Sequence, residues 1–247
     1  MNNSNRIALI GYGAMGKELE AAAADFNFSI NRIFEIDSPF NMDSPDDFDI
    51  AIDFSNPSCL LDNIKTCILK NKSIVIGTTG WNQYYREIKN LIDNSGIGCV
   101  YSSNYSVGMQ MFMRIVAQAA ALMNASSGFD IFMNEIHHKR KADSPSGTAL
   151  SLANIILENV DYKKRILADK SDGKIDSEQL HVSSVRGGEI AGTHTIYIDS
   201  VADTIELTHR AKNRRGFALG ALDAAKWLPG KKGLFDFKDI LNEIWGI

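Results

Sequence analysis

A glycine fingerprint close to the N-terminus restricts the fold more than any other feature of this chain. An apolar run at residues 6–10 leads into Gly11, Gly13 and Gly16, spaced as Gly-x-Gly-x-x-Gly, and residues 17–24 follow with the composition of a helix. A strand, a glycine loop and a helix in this order begin a βαβ unit of the kind that holds a dinucleotide. The glycines permit a tight turn, a close approach to a pyrophosphate and close packing of the helix.

An acidic residue follows this fingerprint where a ribose-binding carboxylate belongs. Residues 29–35 are predicted to form the second strand, which ends at Glu35, about twenty residues beyond the glycines. Glu35 would accept hydrogen bonds from ribose hydroxyls and would repel a 2′-phosphate. Arg32 is expected to face elsewhere, and Ile36 follows the acid. We therefore expect NADH to be favoured over NADPH, while a plain surface acid stays the alternative interpretation of Glu35.

Two later segments place small and hydroxylic residues directly after apolar runs. Residues 74–76 and 99–101 are predicted strands, and ligands bind at the carboxyl ends of strands in open parallel sheets. The predicted cofactor-binding residues are therefore Glu35, the loop Gly11, Tyr12, Gly13, Ala14, Met15 and Gly16, and the turns Gly77, Thr78, Thr79, Ser102, Ser103, Asn104 and Tyr105.

The segment 135–149 carries the strongest candidate residues for chemistry. It follows a predicted strand at 129–136 and contains His137, His138 and Lys141, then a Ser-Pro-Ser-Gly turn and a predicted helix from Thr148. Histidine exchanges protons near neutral pH, and lysine binds carboxylates. Backbone N–H groups at a helix start, here those of Ser146, Gly147 and Thr148, attract anions. A substrate with one or two carboxylates fits this set of groups.

Simpler interpretations of the same segment stay open. Ser144 or Ser146 could only cap the helix, and the histidines with their neighbouring cations could belong to a solvated loop. A metal site is not expected, because adjacent histidines lack the i,i+4 spacing of ligands and no cysteine or carboxylate pair accompanies them.

Residues 135–149 resemble the signature of the 4-hydroxy-tetrahydrodipicolinate reductases, also called dihydrodipicolinate reductases. That signature is E-(V/I/L)-H-H-x-x-K-x-D-(A/S)-P-S-G-T-A, and every defining position is present here. The resemblance covers essentially the whole chain, including the elements D-F-S, G-T-T-G and N-Y-S-V-G. It implies NADH- or NADPH-dependent reduction of a cyclic dicarboxylate imine in diaminopimelate and lysine biosynthesis.

The resemblance also implies roles for single residues. It makes His137 the general acid/base, Lys141 a second proton donor and His138 a substrate contact. It makes Gly147 and Thr148 the groups that hold a substrate carboxylate, and it implies a homotetramer assembled through the second domain. One departure is that the glycine loop is shorter than the usual family loop, although it keeps the Met-Gly ending.

The order of the predicted elements divides the chain into two domains. Strand and helix patterns alternate as far as residue 105, which predicts an α/β fold with an N-terminal Rossmann-like doubly wound parallel sheet. Later strand-like runs predict a second, α+β domain with a mixed sheet. We expect a dinucleotide-binding domain of residues 1–107 plus 216–247, and a domain of residues 108–215 for substrate binding and tetramerisation.

Three further features receive weaker interpretations. Arg186 and the two glycines after it are predicted to form a hairpin with a positive rim. Arg214 is either a substrate contact or a solvated arginine. Gly216 is a candidate hinge residue.

Composition limits the classes of protein to which the chain can belong. The formal net charge of −4 argues against nucleic acid as a partner. No apolar run is long enough to span a membrane, and residues 1–5 lack the core of a signal peptide. Cys59, Cys67 and Cys99 are odd in number and have no metal spacing, which favours reduced thiols. We expect a cytoplasmic protein with a small-molecule partner and no membrane or nucleic-acid partner.

Two alternative functions remain at this point. One is a different two-domain dehydrogenase with the same architecture, against which the His-His-x-x-Lys run argues. The other is a non-catalytic nucleotide-binding sensor, against which the intact His137 and Lys141 argue.

Overall fold

The computed structural model describes residues 5–125, 128–168, 170–171 and 173–246. The expected absence of a signal peptide rests partly on residues 1–4, which lie outside the described residues. The chain divides into two compact units, Met1–Val107 with Arg214–Ile247, and Gly108–Asn213. The second boundary falls at Arg214, whereas the sequence places it at residue 216.

The described residues contain both element types in the alternation that the sequence predicts. The helices are α1 Ala14–Ala23, α2 Pro57–Leu69, α3 Tyr85–Asp93, α4 Val107–Leu122, α5 Gly147–Asn159, α6 Arg215–Trp227 and α7 Phe237–Trp245. The strands are β1 Asn5–Ile10, β2 Phe28–Phe34, β3 Ile50–Asp53, β4 Ser73–Ile76, β5 Gly98–Tyr101, β6 Asp130–His137, β7 Arg165–Ala168, β8 Gln179–Arg186, β9 Thr193–Asp199, β10 Thr204–Arg210 and β11 Gly233–Asp236. None of the described helices has both the length and the apolar character needed to cross a membrane.

The first unit is built on a parallel sheet of six strands. Their order is β11-β5-β4-β3-β1-β2, and every neighbouring pair is parallel. The chain moves from β1 to β2 on one side and then to β3 on the other, so the winding direction reverses beside β1. This confirms the predicted α/β fold with a Rossmann-like doubly wound sheet.

Both faces of this sheet are covered, as the apolar strands require. One core contains Leu19 of α1, Leu222 of α6 and Phe237 of α7. The other contains Leu60 of α2 and Ile88 of α3. Two layers of helices therefore hold the strands in place and leave the loops at the strand ends for binding.

The second unit is built on a mixed sheet of five strands in the order β10-β9-β6-β8-β7. β6 and β7 are parallel to β8, whereas β6 and β10 are antiparallel to β9. The mixed sheet of the second domain is therefore confirmed. The hairpin predicted after Arg186 is wrong, because β8 and β9 lie on opposite sides of β6. Residues 187–192 cross the end of β6, a relation between strands that a local Gly-Gly signal does not reveal.

The alternation of β6 determines which of its side chains share a face. Ile131, Met133, Glu135 and His137 are buried, and the residues between them are only half-buried. The first two belong to the core that α4 and α5 cover. Residues opposite Glu135 in the register are Ser184 on β8 and His194 on β9, and Arg186 lies opposite His137. One face of the sheet therefore brings these polar side chains together.

Candidate nucleotide loop and candidate active site

The three glycines of the fingerprint have three different surroundings in the first unit. Gly11 has a φ of +90°, and a Cβ on it would lie 2.5 Å from the carbonyl oxygen of Phe54 at the end of β3. A Cβ on Gly16 would lie 2.6 Å from the carbonyl oxygen of Gly11. A Cβ on Gly13 would meet nothing within 4 Å. Two glycines thus allow close packing, and the third leaves the loop backbone open to a ligand.

The start of α1 offers hydrogen-bond donors to such a ligand. Gly13 is the N-cap residue, Ala14 begins the helix, and among the described residues no side chain caps this end. The first turn contains no acidic residue, and Met15 packs against the core beneath. Unsatisfied N–H groups at a helix start bind phosphate through hydrogen bonds and the helix dipole. The loop therefore fits the pyrophosphate of a dinucleotide.

Negative charge lies close to this loop. The Tyr12 hydroxyl donates a hydrogen bond to Glu20, and this bond, burial and the nearby charge of Glu35 raise the pKa of Tyr12. Glu35 is exposed and immediately follows β2. Arg32 is bound to Asp47, with Nε 2.6 Å from Oδ1, so it faces elsewhere as expected. Lys17 Nζ lies 6.0 Å from the centroid of the Tyr12 ring, so a cation also lies beside these acids.

A buried carboxylate joins the loops that follow β3 and β4. Asp53 is fully buried and accepts hydrogen bonds from Ser55 N at 2.9 Å, Thr78 Oγ1 at 2.7 Å and Asn63 Nδ2 at 2.8 Å. Burial raises the pKa of Asp53, and these donors act in the opposite direction. The sequence analysis gave this aspartate no role, although an acid at the end of an otherwise apolar strand is the signal that identifies it.

Among the remaining predicted cofactor residues, some side chains are exposed and others already take part in contacts within the protein. Thr79 and Ser103 are exposed, whereas the Thr78 hydroxyl is bound to Asp53. Ser102 and Asn104 hydrogen-bond to each other within their own turn. A Cβ on Gly77 would lie 2.2 Å from the Phe54 ring, so this glycine is needed for packing.

The side chain of Tyr105, a predicted cofactor residue, lies in the core of the first unit. Tyr105 is 1% exposed, and its hydroxyl donates to the carbonyl oxygens of Ile76 and Val100 at 3.0 and 3.1 Å. Its ring lies 4.8 Å from that of Phe237. The side chain therefore stabilises the core, because its hydroxyl is hydrogen-bonded to two carbonyl groups and its ring contacts that of Phe237.

Glu135 is the centre of the polar cluster in the second unit. Its side chain is fully buried, and its Oε1 accepts hydrogen bonds from Ser146 N at 2.8 Å, Ser184 Oγ at 3.0 Å and Arg186 Nη2 at 2.7 Å. Ser146 Oγ donates to Oε2, and His137 Nδ1 lies 3.1 Å from Oε2. Burial acts to raise the pKa of Glu135, but these donors outweigh it and hold the pKa well below the usual range. The carboxylate is therefore charged.

His194 is a second buried histidine beside this carboxylate. Its Nε2 lies 3.4 Å from Ser146 Oγ and 3.6 Å from Glu135 Oε2, and its ring centroid lies 5.2 Å from that of His137. Burial and then the charge of His137 lower the pKa of His194 to about 4. His194 is therefore neutral at neutral pH.

Glu135, His137 and His194 form a trio whose ligand atoms lie within 4.8 Å of one another, the spacing of a metal site. Arg186 and Ser146 already donate to both oxygens of the carboxylate. The guanidinium would also repel a cation at this position. We therefore describe the trio as a charged cluster around a hydrogen-bonded carboxylate, and not as a ligand set. The sequence assigned no role to Glu135 or His194.

The predicted anion-binding groups already contact a carboxylate of the chain. Lys141 Nζ lies 2.7 Å from Asp143 Oδ1. Burial acts to raise the pKa of Asp143, but Lys141 and the Gly147 backbone N–H lower it below its ordinary value. Lys141 and Gly147 can therefore hold a carboxylate together, as the sequence predicts.

Ser146 caps α5, as expected, but it does not only cap the helix, because it also donates to Glu135. Its Oγ accepts a hydrogen bond from Ala149 N at 3.1 Å, while Gly147 and Thr148 form the first turn. Gly147 is exposed and Thr148 is half-buried, so both face a position that a ligand can reach.

The crossing segment 187–192 holds the histidine loop from the other side. Gly187 N donates to His137 O at 2.9 Å, and His138 N donates to Ile190 O at 2.8 Å. A Cβ on Gly192 would lie 2.9 Å from His137 Nε2. The position of Gly192 therefore leaves the outer nitrogen of His137 unobstructed, a contact that the sequence analysis did not predict.

Comparison with known proteins covers both units. The family described as dihydrodipicolinate reductase, N-terminus, matches residues 5–105, and its C-terminus counterpart matches residues 108–241. The 4-hydroxy-tetrahydrodipicolinate reductase of Christiangramia forsetii is 37% identical over 239 residues, which cover 97% of this chain and 98% of that protein. The Syntrophotalea carbinolica protein of the same name is 39% identical over 199 residues, covering 78% of this chain and 73% of that protein.

Solved structures show the same fold. The dipicolinate-bound dihydrodipicolinate reductase of Paenisporosarcina sp. TG-14 has a TM-score of 0.75 and 22% identity, covering 96% of this chain and 99% of that one. The amine dehydrogenase of Mycobacterium smegmatis has a TM-score of 0.55 and 11% identity, covering 96% of both chains. These likenesses show the fold alone, whereas the sequence matches show the family. The chain belongs to the dihydrodipicolinate reductase family.

Proposed function

We propose that this protein catalyses the NAD(P)H-dependent reduction of 4-hydroxy-tetrahydrodipicolinate to tetrahydrodipicolinate, a step of diaminopimelate and lysine biosynthesis. One observation supports this most strongly. A buried Glu135–His137 pair precedes a loop in which Lys141 and the start of α5 already contact a carboxylate. An acid/base beside an anion-binding loop is the equipment that reduction of a dicarboxylate imine requires.

The nucleotide loop would hold the dinucleotide. Gly13 and Ala14 present the open start of α1 to the pyrophosphate, and Glu35 is placed to accept from ribose hydroxyls. The bound nicotinamide supplies the hydride. Thr79 and Ser103 are the exposed hydroxyls that remain available among the turns after β4 and β5.

The second unit would bind and protonate the substrate. Lys141, Gly147 and Thr148 hold one substrate carboxylate, and His138 makes a further contact. Addition of hydride to an unsaturated ring leaves negative charge that a proton must neutralise. His137 donates that proton from its outer nitrogen, and Lys141 stabilises the developing charge as a second donor.

We infer a preference for NADH over NADPH. Tyr12 is hydrogen-bonded to Glu20, and the charge of Glu35 acts on its hydroxyl. The residue after Glu35 is the uncharged Ile36, which is 97% exposed and cannot bind a 2′-phosphate as a cation would. Arg32 is paired with Asp47. An added 2′-phosphate would therefore be repelled.

We further propose a cytoplasmic homotetramer that forms through the mixed sheet. Phe132 and Tyr197 stack at 4.9 Å on the sheet face opposite α4 and α5, and Val185 is 50% exposed on the same face. Cys67 and Cys99 are free buried thiols, as proteins of a reducing compartment have.

The test is oxidation of NADH, and separately of NADPH, followed by absorbance with enzymatically generated 4-hydroxy-tetrahydrodipicolinate. Oxidation that requires both protein and substrate, faster with NADH, is expected. Folded protein that binds NADH but oxidises neither cofactor would exclude the proposed reaction. It would favour a different dehydrogenase substrate or a nucleotide sensor.

A further inference from the structure

We propose that Glu135 is a positioning residue that fixes the tautomer and the direction of His137 and ties this imidazole to the anion-binding start of α5. The effect of this role on turnover rests on the proposed function. The effect of Glu135 on the tautomer of His137 can be measured without substrate, so the two proposals can fail separately.

The first step is the geometry of the two side chains. Both project from the same face of β6, and His137 Nδ1 lies 3.1 Å from Glu135 Oε2. Nδ1 is buried, and its contact has the length but not the linear angle of a hydrogen bond. A carboxylate only accepts, so the contact is favourable when Nδ1 carries the hydrogen. The neutral ring then keeps its lone pair on Nε2, on the side left open by Gly192.

The second step is the charge around the ring. The titratable and charged groups around His137 are Glu135 on β6, His194 on β9 and Arg186, which lies opposite it on β8. Lys141, on the loop before α5, acts on the neighbouring His194 and is paired with Asp143. His194 is neutral, so Glu135 is the nearest counter-charge for an imidazolium at this position. Without it, the cation of Arg186 would disfavour protonation of the ring.

The third step is the link to α5. The carboxylate that faces His137 also accepts from Ser146 N and Ser146 Oγ, and Ser146 caps the helix. Arg186 Nη2 donates to this carboxylate and to the backbone oxygen of Asp143 at 2.6 Å. One buried group therefore fixes the acid/base relative to Gly147 and Thr148. Partners of this kind change activity by roughly 10- to 100-fold when they are removed.

The variant that tests this is Glu135→Gln, because an amide can keep its oxygen toward Ser146 N and Arg186 while its NH₂ faces His137 and Ser146 Oγ, a hydroxyl that can accept as well as donate. Such a donor would favour a lone pair on Nδ1 and move the hydrogen to Nε2. Glu158→Gln, an exposed position on α5, is the matched control. The chain has five histidines, so comparison with His137→Gln identifies the His137 signal in a spectrum of ¹⁵N-histidine-labelled protein.

At a pH at which His137 is neutral, the expected spectrum of the unaltered protein shows its proton on Nδ1, and Glu135→Gln shifts that proton to Nε2. This measurement needs no substrate. A wild-type His137 that carries its proton on Nε2 would overturn the proposal, as would a tautomer that does not respond to Glu135→Gln in folded protein.

The kinetic expectation is a turnover lowered by roughly 10- to 100-fold in Glu135→Gln, with NADH binding unchanged. The alkaline limb of the pH profile of kcat moves to lower pH, because the imidazolium loses its counter-charge. Equal kcat and equal pH profiles for Glu135→Gln and Glu158→Gln would contradict the proposal. An inactive wild type with the expected tautomer would count against the proposed reaction and not against the positioning role.

Discussion

Glu135 and His137 lie two residues apart on β6 with both side chains on the same buried face, and Glu135 Oε2 is 3.1 Å from His137 Nδ1. An isolated buried carboxylate is strongly unfavourable. Here donors from Ser146, Ser184 and Arg186 satisfy it as well. The end of β6 is therefore a charged centre whose components come from three strands and the start of α5.

Replacing His137 by glutamine should lower turnover by about 100-fold or more, the range for loss of a general acid. NADH binding should persist, because the nucleotide loop belongs to the other unit. Steady-state kinetics together with NADH fluorescence titration measure both effects. Unchanged turnover would remove His137 from the mechanism.

Replacing Gly192 by alanine should also lower turnover. The added methyl would lie 2.9 Å from His137 Nε2, closer than two such atoms can approach, and would cover the nitrogen that exchanges the proton. We expect kcat of the folded variant to fall by at least about 10-fold. Gly187→Ala tests the same loop at a position where a Cβ meets nothing within 4 Å and φ is not positive. Equal activity in both variants would show that Nε2 is not the reacting atom.

Replacing Asp143 by asparagine should tighten the binding of a dicarboxylate such as dipicolinate. Asp143 contacts Lys141 and the Gly147 N–H, the groups that we assign to a substrate carboxylate. Removing its charge frees them, and calorimetry should show a Kd lowered by up to about 5-fold, as loss of one exposed ion pair would give. Weaker binding would mean that Asp143 orients Lys141 and does not compete with the substrate.

Stability should fall as the pH drops below 6.5, partly because of His194. The unfolded histidine takes up a proton near 6.5, whereas the folded one stays neutral down to about 4. Between these values the unfolded state binds more protons, so acid favours unfolding, by up to on the order of 3 kcal/mol. Burial lowers the pKa of His209 in the same direction. Glu135 contributes a further loss of stability only below about pH 4.5, the ordinary pKa of its carboxyl group, because its pKa in the folded protein is lower.

Denaturant unfolding from above pH 6.5 down to about pH 5 measures this effect. His194→Asn should be less stable at high pH but should lose less stability as the pH falls. Parallel pH dependences for the variant and the wild type would contradict the assignment of a neutral buried His194.

Local sequence patterns were sufficient for both sheets, the glycine loop and the anion-binding turn. Each of these features depends on residues within one strand, one loop or one helix start, where spacing determines burial and capping. The cap at Ser146 and the direction of Arg32 are of this kind. Residue roles that follow from such local signals could be assigned before the structure was known.

Features that depend on distant pairing could not be predicted in the same way. Ser184 and Arg186 reach Glu135 across 49 and 51 residues of sequence, through the register of β6 and β8. The crossing of segment 187–192 over the end of β6, and with it the contact of Gly192, follows from strand order. The burial of the Tyr105 hydroxyl against two carbonyl groups likewise depends on the packing of α7 and of β4 and β5, which the local sequence does not show.

The most direct test of the central claim is transfer of deuterium from NADH that carries the label at the reacting carbon of the nicotinamide. After incubation with the protein and 4-hydroxy-tetrahydrodipicolinate, mass spectrometry of tetrahydrodipicolinate should show one deuterium gained for each NADH oxidised. Unlabelled product, or loss of NADH without formation of tetrahydrodipicolinate, would contradict hydride transfer to this substrate by this protein.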